Sequence, residues 1–140
     1  MSTTASVAKL NSDGSVRSIY VHFEGRVTHV GLTLLSHYQD PHKIDQLLSL
    51  GDLVFLRPQT GIVTHSPYMP KTARNPEWCV AYMRDRGDKF RAARTFSSCD
   101  EWIWKAGQAY NYLYSDSESE WMVCVILGEF RSVTQVLLET

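Results

Sequence analysis

The sequence predicts an α+β domain in which an antiparallel β-sheet carries three or four short helices packed on one face. Three observations point there. Runs of strand-forming residues are paired across turn residues, several short segments with helical spacing interrupt them, and 140 residues suit one domain able to bury roughly two-thirds of its extended-chain surface. No internal repeat or second domain is visible, so residues 1–140 read as a single unit.

Residues 5–10 and 16–23 flank Ser12-Asp13-Gly14-Ser15. Asp-Gly tolerates positive φ, so the two runs read as a β-hairpin. In the second run a period of two puts Val16, Ser18, Tyr20 and His22 on one face and Arg17, Ile19, Val21 and Phe23 on the other. Tyr20 and His22 are therefore neighbours. Gly25 breaks the strand. Over residues 29–38, Val30, Leu34 and Leu35 follow helical spacing until Pro41 stops it. Asp40 then caps a second helix with Pro41 in its first turn; Ile44, Leu47, Leu48 and Leu50 form its buried stripe and Gly51 ends it.

Residues 57–77 hold Pro58, Pro67, Pro70 and Pro76 with little periodicity and read as a long loop. Residues 78–83 read as a strand, 85–88 as a turn and 92–96 as its hairpin partner. Ser98 and Glu101 match a capping box at the start of a helix that ends near Gly107. Trp102 and Trp104 are two apart and cannot share one face of that helix, so one of them is expected at the surface. Residues 109–114 alternate weakly, 115–120 form a polar turn and 121–127 are rich in strand formers. The tail, 128–140, suits a helix through Phe130, Val133, Val136 and Leu137 slightly better than a strand.

Composition excludes several function classes. The apolar run 122–127 is far too short to cross a bilayer, and the first residues lack a basic-then-apolar signal pattern, so no membrane association is expected. Three widely spaced cysteines, Cys79, Cys99 and Cys124, without a C-x-x-C pair, suit buried thiols in a reducing compartment and argue against a zinc site. Cys79 and Cys124 lie in apolar strand runs and read as core; Cys99, near a helix N-terminus, is where a lowered thiol pKa would be sought. The net charge of −1 hides an uneven distribution. Residues 1–56 carry four cations and five carboxylates, 57–94 eight and three, and 95–140 two and seven. The middle segment can gather an anion, unless its charge is spent on the acidic third or on solvent.

The five histidines show no H-x-x-x-H or H-x-H spacing, so no metal site follows from them. No G-x-S-x-G, P-loop or G-x-G-x-x-G occurs, so a hydrolase, nucleotide-hydrolysing or dinucleotide-dependent reading lacks its signature, and no cofactor is implied. The informative stretch is 82–95. It carries Arg84, Arg86, Lys89, Arg91 and Arg94 against Asp85 and Asp88, with Tyr82 and Phe90 beside them. Arginine forks hold phosphate oxygens bidentately, and an adjacent ring stacks a base. If 78–83 and 92–96 pair around the turn, Arg84 and Arg94 emerge together; the competing reading is a solvated turn whose charges neutralise each other. A nucleic-acid groove is disfavoured by a pI of about 6.5.

Ser18-Ile19-Tyr20-Val21-His22-Phe23-Glu24-Gly25, Val30-Gly31-Leu32-Thr33-Leu34-Leu35-Ser36-His37-Tyr38, Leu50-Gly51-Asp52-Leu53 and Ala81-Tyr82-Met83-Arg84-Asp85-Arg86-Gly87 together resemble small proteins of tailed bacteriophages. That group carries SIYCHWDGYP, VGxTLLEHY, LGDLSSL and AYxRDRGE in the same order. The likeness continues through Ala93-Arg94-Thr95-Phe96, Tyr112-Leu113-Tyr114 and Trp121. This chain departs at Val21, Phe23 and Glu24, where the group has cysteine, tryptophan and aspartate, and at Arg26, where it has an aromatic residue. The resemblance implies a phage accessory protein acting in the cytoplasm of a bacterial host and carries no activity with it.

The expectation from these readings is a non-catalytic host-takeover or anti-defence protein that binds and sequesters an anionic small molecule, a nucleotide signal above all. The candidate ligand-binding residues are Tyr20, His22, Arg26, His37, His65, Tyr82, Arg84, Arg86 and Arg94. Arg84, Arg86 and Arg94 would hold phosphate, and Tyr20, His22 or Tyr82 would flank the base. The alternative is an inhibitor that presents the proline-rich loop and exposed aromatics to a host protein. A weaker alternative is a small phosphodiesterase-like enzyme using His22 and His65. A homo-oligomer is compatible with a small domain enclosing its ligand between subunits.

Overall fold

A computed structural model describes residues 3–60, 79–81, 91–125 and 128–140. Among them eight strands form one mixed sheet. The α+β class holds. The sheet is mixed rather than wholly antiparallel, and its helices lie on both faces rather than on one.

The hairpin forms as its turn chemistry demands. β1 (Ala5–Leu10) and β2 (Val16–Val21) pair antiparallel from Ala5 opposite Val21 to Leu10 opposite Val16. Gly14 takes φ +87, and the Asp13 carboxylate accepts from the Ser15 N–H at 2.9 Å. β1 has its other edge against β6 (Tyr110–Ser115), and that pairing is parallel. Parallel neighbours need a long crossover, and here the chain between β2 and β6 supplies it. β7 (Glu120–Val125) and β8 (Phe130–Ser132) then extend the sheet antiparallel.

The register puts Val7, Ile19, Tyr112 and Val123 on one face and Ala8, Ser18, Leu113 and Met122 on the other. The first face is covered by a π-helical turn, Val27–Gly31, with α1 (Leu32–His37), α2 (Pro41–Ser49) and α4 (Val133–Leu138). Gly31 lets that turn approach the sheet closely: a Cβ there would stand 3.3 Å from Tyr112 Cε1. The second face also carries apolar residues, Ala8, Val16 and Leu113, and α3 (Cys99–Ala106) seals them with Trp102 and Ala106. Apolar groups on both faces of the central strands require cover on both. Trp102 is buried, its Nε1–H donating to Ser18 Oγ at 2.9 Å, and Trp104 is 87% exposed, which answers the expected division between them.

Caps follow the sequence. Asp40 accepts from the His42 N–H, and Gly51 ends α2 at φ +77. Ser98 Oγ accepts from the Glu101 N–H at 3.1 Å, and the Glu101 carboxylate reaches back to Ser97, one residue before the cap. The tail contains both expected structures in turn, β8 and then α4.

One pairing differs in a way that matters for the site. β5 (Arg94–Phe96) does not pair with the described part of the 78–83 strand, Val80–Ala81; it lies antiparallel against the first half of β2, with Arg94 opposite Ser18. β3 (Leu53–Phe55) takes the end of β2 in parallel, and β4 (Val80–Ala81) pairs with β3. The 85–88 turn, residues 61–77 of the proline-rich loop and residues 78, 82 and 83 of the expected strand lie outside the described residues. The described ends of that loop are pinned. Cys79 Sγ accepts from the Arg57 N–H at 3.2 Å, Cys79 N–H donates to Gln59 O, and the buried Tyr38 hydroxyl donates to Arg57 O at 2.6 Å. Burial raises the Cys79 thiol above its ordinary pKa, against a smaller lowering by that Arg57 bond. Among the described residues no helix is long and apolar enough to cross a membrane.

Candidate functional site

The second edge of β2 is shared by two strands that do not meet. β5 serves Val16 to Ser18, and β3 begins at Val21, whose neighbour His22 donates its N–H to Leu53 O at 3.0 Å. The Tyr20 N–H falls in the gap. It is taken by a side chain: Asp52 Oδ1 accepts from it at 2.9 Å, while the Asp52 N–H donates to Arg91 O at 2.7 Å. A carboxylate thus finishes the ladder and ties β2 to the segment leading into β5.

Around this junction the strand periodicity gathers a mixed set of groups. Tyr20 and His22 share a face, as the alternation predicts, and the tyrosine hydroxyl lies 2.7 Å from His22 Nδ1. The His22 ring meets Phe23 edge-on at 4.4 Å, Phe23 stacks on Phe55 at 5.1 Å, and the Arg57 guanidinium covers Phe55 at 4.7 Å. Half-buried rings therefore run without interruption from β2 to β3. Arg94 projects on the Tyr20 face from the strand beside it, with its guanidinium 5.7 Å from the Phe96 ring. Arg91 and Arg94 are exposed, and both act electrostatically on the half-buried Asp52. Burial pushes the Asp52 carboxyl above its usual range, and the Tyr20 amide and the two arginines offset part of that rise.

The sequence-predicted residues divide. Tyr20, His22 and Arg94 come together. Arg26, before the π-helical turn, and His37, at the end of α1, are exposed on elements belonging to the opposite face, so they do not join the cluster. His65, Tyr82, Arg84 and Arg86 lie outside the described residues. Sequence reasoning missed Asp52, Phe23, Phe55 and Arg57. The available signal was Gly51-Asp52 directly after a helix end: an acidic residue where a chain turns into an edge strand is a ready acceptor for an unpaired amide.

Electrostatics bears on the competing chemistries. The partner that orients His22 is a phenol, whereas a catalytic imidazole is ordinarily backed by a carboxylate or a carbonyl. Cys99 is not activated, since burial and Asp100 both raise its thiol pKa, contrary to a helix-terminus lowering. Among the described residues no group of three or more His, Cys, Asp or Glu is arranged to hold a metal ion. A separate open groove of about 510 Å³ lies at the far end of the sheet, lined by Leu10, Asn11, Ser12, Gly14, Ser115, Asp116 and Ser117. Its one charged wall residue, Asp116, is engaged by Lys9 at 3.4 Å. The groove offers an anion no cation of its own.

A comparison of the chain with protein-family models, curated proteins and solved structures found no match. The chain has an α+β fold with a mixed sheet, and α3 covers Ala8, Val16 and Leu113 on one face of it.

Proposed function

We propose that the protein is a binding module for a small phosphate-bearing ligand with an aromatic base, held at the junction of β2, β3 and β5. The observation that supports it best is the cluster of half-buried Tyr20, His22, Phe23 and Phe55 beside the exposed cations Arg91 and Arg94. Half-buried aromatic rings are the kind of surface on which a base stacks, and guanidinium forks at the rim match phosphate oxygens. In the sequence, Arg91 and Arg94 close the basic stretch 82–95. Sequestration of a nucleotide signal by a phage protein in a bacterial cytoplasm is the biological form of this reading, and it rests on the sequence resemblance alone.

Calorimetry with a panel of linear and cyclic ribonucleotides tests it. One member should bind at a fixed stoichiometry without turnover. Arg94→Ala should weaken binding at least about tenfold, the usual size of a lost charged hydrogen bond. Absence of binding by every member, or unchanged binding by the Arg94 variant, refutes it. A second reading, contact with a host protein, is favoured by Trp104, which is 87% exposed on α3. A stoichiometric host partner lost on Trp104→Ala would support that reading in place of the first.

A further inference from the structure

Asp52 contains the unused capacity of the site. A carboxylate offers about four acceptor positions. Among the described residues only one hydrogen bond reaches this one, from the Tyr20 amide to Oδ1. The carboxylate is bound to the amide of Tyr20, two residues along β2 from the Ser18 that faces Arg94, and it lies within electrostatic reach of Arg91 and Arg94; a sugar whose phosphate is on Arg94 would approach it. An acceptor-only group in such a place has two effects. It repels bare polyanions, because its charge cancels part of the field of Arg91 and Arg94. It also attracts neutral hydroxyl donors, and a vicinal diol can reach both oxygens.

We infer that Asp52 is a specificity-determining residue and that the ligand is a ribonucleotide whose 2′- and 3′-hydroxyls donate to its carboxylate. This rests on the proposed phosphate and base site and deepens it. The same acid that completes the strand ladder through Oδ1 reads the sugar through its free lone pairs. The carboxylate cannot swing away from the site, since Oδ1 is held by the Tyr20 amide and its own backbone by Arg91. Discrimination is accordingly built into the sheet and is present before ligand arrives.

The test compares the four ribonucleoside 5′-monophosphates with their 2′,3′-dideoxy counterparts and with inorganic pyrophosphate, by calorimetry on the full chain. The best ribonucleotide should bind about tenfold or more tightly than its dideoxy form, since two donors to a charged acceptor are lost. Pyrophosphate should bind weakly. In Asp52→Asn, which keeps an acceptor for the Tyr20 amide, the ribose preference should shrink severalfold and pyrophosphate binding should strengthen. Equal affinity for ribo and dideoxy forms overturns the role of Asp52 and leaves the phosphate site standing. Failure of all the mononucleotides to bind overturns both. The wild-type comparison decides the matter even if the variant does not fold.

Discussion

Trp102→Phe probes the element that holds the site together. Trp102 is fully buried, and its Nε1–H is the recorded partner of Ser18 Oγ, on a residue 4% exposed and directly opposite Arg94. Phenylalanine removes the donor and the outer ring. The stranded Ser18 hydroxyl costs about 1–3 kcal/mol, and the space left between α3 and the stacked Phe130 ring, now 6.1 Å from the indole, costs roughly 1 kcal/mol more. A total of about 2–4 kcal/mol should lower Tm by roughly 10 °C in a chain of this size. The assay is urea denaturation of Trp102→Phe, Ser18→Ala and the double variant. Because each single change strands the partner of the other, the double variant should be more stable than additivity predicts by about 1 kcal/mol. Strict additivity would refute the buried bond as the link between α3 and β2.

Three further outcomes follow from the same geometry. Gly31→Ala should destabilise by about 1 kcal/mol by thermal melting: the helical gain of roughly 0.5–1 kcal/mol is outweighed by overpacking of about 1–3 kcal/mol, since the new Cβ meets Val27 Cγ1 at 3.1 Å and Tyr112 Cε1 at 3.3 Å. Asp52 has a folded-state pKa raised chiefly by burial, so its contribution to stability is present below the unfolded value near ~3.9 and is lost as pH rises through the folded value. Stability profiles should therefore show wild type losing ground to Asp52→Asn across that acidic window. For Lys9, burial lowers the ammonium pKa, but bonding and attraction from Asp45 and Asp116 more than offset it, leaving the group raised. Its contribution is intact below about pH 10.4 and should be lost in more alkaline solution, a loss absent from Lys9→Met.

Local chemistry made much of this molecule legible. Asp13-Gly14 specifies the first hairpin, Asp40-Pro41 and Ser98 specify helix starts, and strict alternation along β2 brings Tyr20 to His22, because each depends on residues within a few positions of one another. What escaped depends on distant partners. The parallel pairing of β1 with β6 is locked by contacts such as Ser6 Oγ to Asn111 Oδ1, 105 residues apart, which no local pattern encodes. The partner of β5 escapes for the same reason: 78–83 and 92–96 have hairpin spacing, yet the open edge of β2 takes β5, whose Phe96 joins Val16 and Trp102 in one buried cluster. Asp52 acquires its role only from the gap that this exchange creates.

Everything proposed for this chain turns on nucleotide binding at the β2, β3 and β5 junction. It is tested most directly by amide NMR of the labelled chain during titration with the ribonucleoside monophosphates. The Tyr20 amide, held by Asp52, should shift first, together with those of His22 and Arg94, and a 2′,3′-dideoxy analogue should produce the same pattern only at higher concentration. Shifts confined to the groove at Asn11, Ser12 and Ser117, or no shifts with any nucleotide, would contradict it.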